Sequence, residues 1–368
     1  MYRYNHYISK HLIHSTLLIV FSLTSIVWLT QALRFISFIV NQGVDVSTFL
    51  VLTTLLLPML LLLILPPAFF CAVLFTYHKL KMESELVVMQ AVGLSFWNLA
   101  KPALQVAALM TVICYLIAFY LQPVTYKKFK DMQMFLRNNY ASILLQEGVF
   151  SNPVEGLTVF IRERDDDNIL HGILVHDARQ EGGSVTMMAE EGELVQTEQG
   201  PRFLLRRGNR QEVRDGKPSF LNFASYTLDI SLYTKDMDRS SIDPREMYVG
   251  ELFTHDPTVS TSENNRRLSE GHQRLIWPAY VISLTFVALA ILLTGQFNRR
   301  GHWRKLVLAV LLAAVIMFAA VGWRGVTSIN PAMTIVAWLN LLVPALVSAW
   351  VLQHGIPKRL GRLWGKAA

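Results

Sequence analysis

Apolar residues in this chain run in long unbroken stretches that gather at its two ends, with a more polar middle between them. A helix needs about 20 such residues to cross roughly 30 Å of hydrocarbon. Six stretches reach or approach that length: 12–40, 48–77, 103–121, 275–297, 306–323 and 329–353. The first two exceed it, which predicts tilt or projection beyond the bilayer. Pro58, Pro66 and Pro67 predict a kink or a loosened turn in the second.

Between the third and fourth stretches the pattern shifts to alternation, over 157–164, 169–177, 185–189, 202–207 and 226–231. Turn signals separate these runs at Asp165 to Asn168, Gly182-Gly183, Gly208-Asn209 and Asp215-Gly216. About eight short strands would make a sandwich, a jelly roll or an open barrel. A helical connector over 124–146 leads into this region, and a polar stretch over 257–274 leads back to the membrane. The predicted fold class is an α-helical membrane protein with six transmembrane helices, split three and three around an inserted all-β, jelly-roll-like domain. The expected divisions are 1–123, 124–274 and 275–368.

Composition agrees, with 52% hydrophobic and only 17% charged residues. The formal charge of +7 changes the picture only when it is located. Residues 122–274 carry 19 Lys and Arg against 24 Asp and Glu, so the soluble part is mildly acidic. A polyanion-binding protein would concentrate its basic residues there. Instead the excess lies in short loops: 1–11, 78–101, 298–305 and 354–368 hold 13 basic residues, while 41–47 and 324–328 hold only Arg324. Since cytoplasmic loops collect Lys and Arg, both termini are expected in the cytoplasm and the β domain in the periplasm. The basic start, 1–11, opens onto an apolar stretch too long for a signal peptide, so it is expected to stay as the first anchor.

Cys71 and Cys114 fall inside apolar runs and have no disulfide or zinc spacing. The stretch Gly361 to Lys366 falls one residue short of a phosphate loop and lacks its Ser or Thr. His171 and His176 sit five apart on a predicted strand, so they point to opposite faces. No catalytic group, cofactor or metal is expected.

The loop from Lys79 to Ser95 carries more information. Glu83 and Glu85 suit the positive end of a short helix near 82–92, Gly93 suits its carboxyl cap, and Ser95 can cap the next span. The residues between are almost wholly apolar, and an exposed helix of that kind marks a protein or membrane contact. The alternative is a helix lying among the headgroups or extending the second span. Arg34 is the one charge well inside an apolar run; it either serves a function or snorkels to the interface.

The run Ser84-Glu-Leu-Val-Val-Met-Gln-Ala-Val-Gly-Leu-Ser95, the three-plus-three layout, and the approach Leu144 to Phe150 with Arg162 to Asp165 resemble the permease subunits of the lipopolysaccharide exporter, the LptF/LptG family. The likeness covers essentially the whole chain, and the approach segment looks closer to LptF than to LptG. It implies a subunit without its own ATPase site, paired with the paralogous permease LptG and a cytoplasmic LptB ATPase dimer. Lipopolysaccharide would pass from the outer leaflet of the inner membrane to LptC and the periplasmic bridge. The short helix would be the coupling helix, with Glu83, Glu85, Leu86, Met89 and Gly93 as its docking residues and Glu85 meeting a basic residue of the ATPase. Arg34 matches a basic family position near the cavity mouth, where a guanidinium can pair bidentately with a lipid phosphate. Arg324 is placed with it by location, while a second basic position of some relatives is Gln31 here.

The same layout permits a scaffold that couples a cytoplasmic ATPase to an external β domain without carrying lipid. Photoreactive groups placed on the β domain separate the two. Capture of lipopolysaccharide is expected for a conduit; its absence under active transport conditions would favour the scaffold.

Overall fold

A computed structural model describes residues 2–42, 45–140, 148–154, 156–165, 169–178, 184–197, 200–214, 217–229, 242–294 and 302–355. Among these residues six helices are long and apolar enough to cross a membrane, and an antiparallel sheet lies between the third and fourth in sequence. The chain separates into two compact units. One comprises residues 1–36, 47–129 and 243–368; the other comprises 37–46 and 130–242.

Along the chain, α1 (Tyr2–Gln42) and α2 (Val46–Leu55) precede α3 (Leu57–Met82). Pro58 sits in the first turn of α3, where a missing N–H costs nothing, so the second apolar stretch breaks at Leu56 into two helices. A two-turn helix α4 (Glu85–Ala91) leads to α5 (Phe96–Leu116). A π-helical turn, Ile117–Leu121, carries α5 without interruption into α6 (Gln122–Tyr140). After the sheet come the single turn α7 (Val249–Leu252), α8 (Thr261–Leu293), α9 (His302–Ile329) and, past a 3-10 turn at Pro331–Met333, α10 (Thr334–His354).

Within the polar stretch 257–274, expected to lead back to the membrane, the residues from Thr261 onward already form the start of α8. Ser260 caps it by accepting from the Glu263 amide at 3.2 Å, and Asn264 exchanges two hydrogen bonds with the Asp256 backbone at 2.8 and 3.1 Å. Thr258, through its hydroxyl and amide, holds the Asp256 carboxyl below its ordinary value, with Arg267 adding to the effect. Helix α8 packs against α3, α5, α9 and α10. Its apolar window is 72% buried against 11% for that of α1, which makes α8 the axis and α1 an outlier. Close approach is possible because Ala288 and Ala290 face a bundle whose α9 and α10 present Ala309, Ala313 and Ala337. Hydroxyl and amide groups cross the gaps, with Ser283 Oγ donating to the Leu341 carbonyl at 2.9 Å and Asn340 Nδ2 to Tyr280 at 2.7 Å.

Prolines inside apolar helices leave a carbonyl four residues back without its donor. Pro66 frees the Leu62 carbonyl, and Trp277 of α8 supplies an N–H at 2.8 Å. Pro102 frees the Asn98 carbonyl, and Tyr4 of α1 supplies its hydroxyl at 3.3 Å. Both repairs join different helices, as hydrocarbon offers no water to do it.

The sheet is a consecutive antiparallel meander of β1 (Phe150–Val154), β2 (Leu157–Arg164), β3 (Leu170–Asp177), β4 (Val185–Thr197), β5 (Gly200–Arg214) and β6 (Lys217–Asp229). No Greek-key crossing occurs among the described strands. Its core stacks Val159 and Ile161 of β2 against Val175 and Ile173 of β3 and then Met187 and Ala189 of β4. Among the described residues the sheet has six strands, three of them 13–15 residues long, where about eight short ones were expected.

The reason is a bend line. On β4 the buried positions run Val185, Met187, Ala189 and then jump to even parity, where Gly192 faces Leu205 and Ile173. On β6 the same jump falls between Phe223 and Tyr226. On β5 it falls at Arg207, which has φ 50° beside Gly208. A strand that changes the face it buries reads in sequence as two short strands. Gly208-Asn209, expected as a turn, lies within β5 at this bend. Gly182-Gly183 and Asp215-Gly216 lie outside the described residues.

A Cβ on Gly208 would stand 2.2 Å from the Met188 carbonyl oxygen and 2.5 Å from the Phe223 ring. Gly208→Ala is therefore expected to destabilise the β domain by about 1–3 kcal/mol. Faster proteolytic cleavage within 150–229 in the purified full chain, with the helical part unaffected, is the readout.

Candidate functional sites at the two ends of the bundle

The first site is the corner α3–α4–α5. Helix α3 ends at Met82, and Glu83 is its carboxyl cap, 3.9 Å from Lys79 one turn back. Glu83 was expected in the first turn of α4; Ser84 with φ 61° reverses the chain between them and leaves Glu85 alone there. Gly93 takes φ +91°, with Gly93 N–H donating to the Gln90 carbonyl and Leu94 N–H to that of Met89. Open space surrounds its Cβ position, so the backbone angle is what requires glycine. Ser95 caps α5 by accepting from the Asn98 amide at 3.3 Å.

Leu86 and Met89, expected on a docking face, turn the other way. Leu86 is 3% exposed in the main core and Met89 packs partly against it. At seven residues α4 has one inward stripe, and an i, i+3 pair fills it. The outward apolar residues are Val88 at 62% and Val92 at 81% exposure. Glu85 accepts a hydrogen bond from the Tyr7 hydroxyl at 3.2 Å, which ties α4 to the foot of α1. A cleft of about 340 Å³ opens behind the corner, walled by Gln90, Leu94, Phe96, Trp97 and Leu352. Nearby, Lys81 and Lys305 donate to the Leu292 and Thr294 carbonyls at 3.3 and 3.1 Å, capping α8 with two cations.

The second site lies near the amino end of α8. Glu270 and Leu292 are 22 positions apart on one helix, about 33 Å at the helical rise, so the two sites lie a membrane thickness apart. Arg324 belongs to α9, and the short loop expected over 324–328 is helical. Its Nη2 donates to Glu270 Oε2 at 3.0 Å. Arg274 Nε reaches Glu270 Oε1 at 3.4 Å, while its two terminal nitrogens donate to the carbonyls of Met247 (2.7 Å), Pro244 (3.0 Å) and Arg245 (2.9 Å). The Arg274 side chain is 2% exposed and that of Arg324 is 43%. Beside them Asp243 accepts from Tyr126 at 3.2 Å, and the Arg245 guanidinium lies 5.7 Å from the centre of the Tyr126 ring. Arg34 is in α1, but its side chain lies outside the described residues. The stretch Gly361 to Lys366 lies outside them too.

Glu270, Arg274 and Tyr7 were not singled out from sequence. A signal existed for the first two: Ser260-Thr-Ser-Glu263 is a capping-box pattern, and Glu270 with Arg274 is an i, i+4 pair. Tyr7 had none, because its partner is 78 residues away.

Arg274→Met is expected to cost about 3 kcal/mol or more, since it strands three carbonyls and removes a buried counter-charge. Arg324→Met breaks a half-exposed pair and should cost below about 1 kcal/mol. Thermal unfolding of both variants in one detergent compares them; equal losses would contradict the difference in burial.

Residues 6–354 match the family described as lipopolysaccharide export system permease LptF/LptG. A protein of Rickettsia prowazekii is 30% identical over 358 residues, 96% of this chain and 99% of its own length. The lipopolysaccharide export system permease protein LptF of Escherichia coli K12 is 24% identical over 364 residues, covering 96% of this chain and 95% of its own. LptF of Shigella flexneri matches to the same extent.

Proposed function

Because the chain belongs to the lipopolysaccharide export permease family LptF/LptG, a family of membrane transport subunits rather than catalysts, we propose that it couples a partner's ATP hydrolysis to extraction of lipopolysaccharide. In this reading α4 is the coupling helix. It docks in a groove of a cytoplasmic ATPase dimer of the LptB kind, and a paralogous permease of the LptG kind completes the cavity. The termini are cytoplasmic, and the β domain faces the periplasm, where it hands lipid to LptC and the bridge. Residues 1–123 and 275–368 then form the membrane part, and 124–274 the connector and lipid-carrying domain.

The observation that carries this reading is the geometry of α4. Leu86 anchors the helix in the core of its own bundle, so a push on its outer face is transmitted rather than absorbed. That outer face offers Val88 and Val92 for apolar contact and Glu85 for a cation. Among the described residues the Glu85 side chain meets Tyr7 and no basic group. Gly93 sets the exit angle, and Glu83 contributes through its pair with Lys79. At the other end, Arg324 and Arg34 are the groups assigned to lipid phosphates, Arg324 through its exposed guanidinium.

Glu85→Ala is expected to weaken co-purification with the ATPase dimer by about tenfold or more, the scale for losing one partner of an interfacial charge pair. Membrane insertion and chain yield should stay unchanged. Full lipopolysaccharide transport by the variant would remove Glu85 from this role.

A further inference from the structure

Arg324 meets a carboxylate where the proposed reading puts a lipid phosphate, and the surroundings of that carboxylate say what it does. Glu270 makes ion pairs with two guanidiniums of different kinds, and a third, that of Arg245, is close enough to act on it through space. Arg274 is buried, and its terminal nitrogens are fixed on three carbonyls of 244–247, so it cannot follow a ligand. Arg324 is nearly half exposed and touches Glu270 through one nitrogen only. The backbones between them are pinned, because Ser269 and Thr327, one residue before Glu270 and three after Arg324, share a hydroxyl hydrogen bond at 2.7 Å. Of the two paired guanidiniums, that of Arg324 has one bond to Glu270 to break and that of Arg274 has four bonds in all.

Resting on the reading of Arg324 as a lipid-phosphate group, we propose that Glu270 is an internal competitor of that phosphate: it holds Arg324 when no lipid is bound and is held by Arg274 when Arg324 turns away. Two features make the exchange cheap. A buried carboxylate left alone would be costly, but Glu270 keeps the Arg274 contact at 3.4 Å. Arg324 exchanges a single hydrogen bond for the bidentate pair that a phosphate accepts. Charge points the same way. Two carboxylates, Glu270 and Asp243, with the three guanidiniums of Arg245, Arg274 and Arg324 leave a surplus of one positive charge, and a phosphomonoester brings about −1.5 to −2. A neutral headgroup offers nothing that displaces Glu270. The competitor thus raises the threshold for entry and makes Arg324 selective for phosphorylated lipid.

The test uses the full chain co-purified with its partner subunits in nanodiscs, and binding of bisphosphorylated lipid A compared with its dephosphorylated form. Glu270→Gln is expected to tighten binding of the phosphorylated form about two- to fivefold, the scale of freeing one half-exposed ion pair, and to leave the dephosphorylated form unchanged. Glu270→Asp keeps the charge beside Arg274 but draws it back from Arg324. It should show the same gain with smaller amplitude in a complex that folds even if the glutamine variant does not. Combining either change with Arg324→Gln should erase the gain.

Unchanged binding in folded Glu270→Asp, or equal gains for both lipids, would overturn the proposal. If Arg324→Gln alone weakens phosphorylated-lipid binding while the Glu270 variants do nothing, the Glu270 role fails and the Arg324 reading stands. If Arg324→Gln changes nothing, both fail. The gain should also persist in free inorganic phosphate; its abolition there would assign the site to a free anion and overturn the lipid reading.

Discussion

Helix α8 is enclosed by four other helices, so its hydrogen-bonding groups must be satisfied by protein rather than by water. Its 33 residues are organised around that constraint. At the amino end Ser260 and Asn264 close off the first turn, and Arg274 uses its nitrogens to collect carbonyls from the segment 244–247. At the carboxyl end, carbonyls with no following turn meet Lys81 and Lys305. Midway, Trp277 uses its indole N–H on a carbonyl that Pro66 released in α3. The axis of the bundle is therefore also its main polar connector, and both candidate sites border it.

That constraint explains which parts of the chain were legible in advance. Apolar stretches of about 20 residues announce spans regardless of neighbours, and all six are present. The same method hid the first turns of α8. Residues 261–274 are polar because they sit beyond the apolar window, yet they continue the helix. A helix is recognised by hydropathy only where lipid surrounds it; elsewhere the cap and the i, i+4 pair are the signal. The two-part second stretch was similar, since Pro58 reads equally as a kink or as the first turn of a new helix.

The sheet failed in another way. Alternation was visible over 157–164, where β2 keeps one face inward, and over most of 169–177, where β3 buries Ile173, Val175 and Asp177 but steps to Leu170 across Gly172, which has φ 63°. In β4, β5 and β6 the inward face changes partway, so only fragments such as 185–189 or 202–207 showed a clean period. The bend is visible only when the strands are aligned, because Arg207 on β5, the step after Ala189 on β4 and that after Phe223 on β6 fall on neighbouring rows. Arg207 adds hydrogen bonds to Glu190 at 2.9 Å and to Glu191 at this fold, and the first of these leads in raising the guanidinium above its ordinary pKa. Local composition held the glycine and the charges but not the register that gives them a purpose.

The short helix α4 shows how little separates an anchor from a docking residue. Glu83 and Glu85 are two positions apart and chemically alike, yet a single left-handed residue, Ser84, puts one at the end of α3 and the other at the start of α4. Leu86 and Val88 are two apart as well, and on a helix that spacing means nearly opposite faces. Sequence marked the segment as apolar throughout but gave no phase, and phase is set by what the core needs. Once Leu86 fills its place in the main core beside α3, Val88 and Val92 can only point outward and Glu85 only toward Tyr7. Helix α1, fixed at its foot by Ile8 and Leu12 and left uncovered over most of its length, is thus joined to the corner by that hydroxyl. Any partner that draws on Glu85 acts on the most loosely packed helix of the bundle as well.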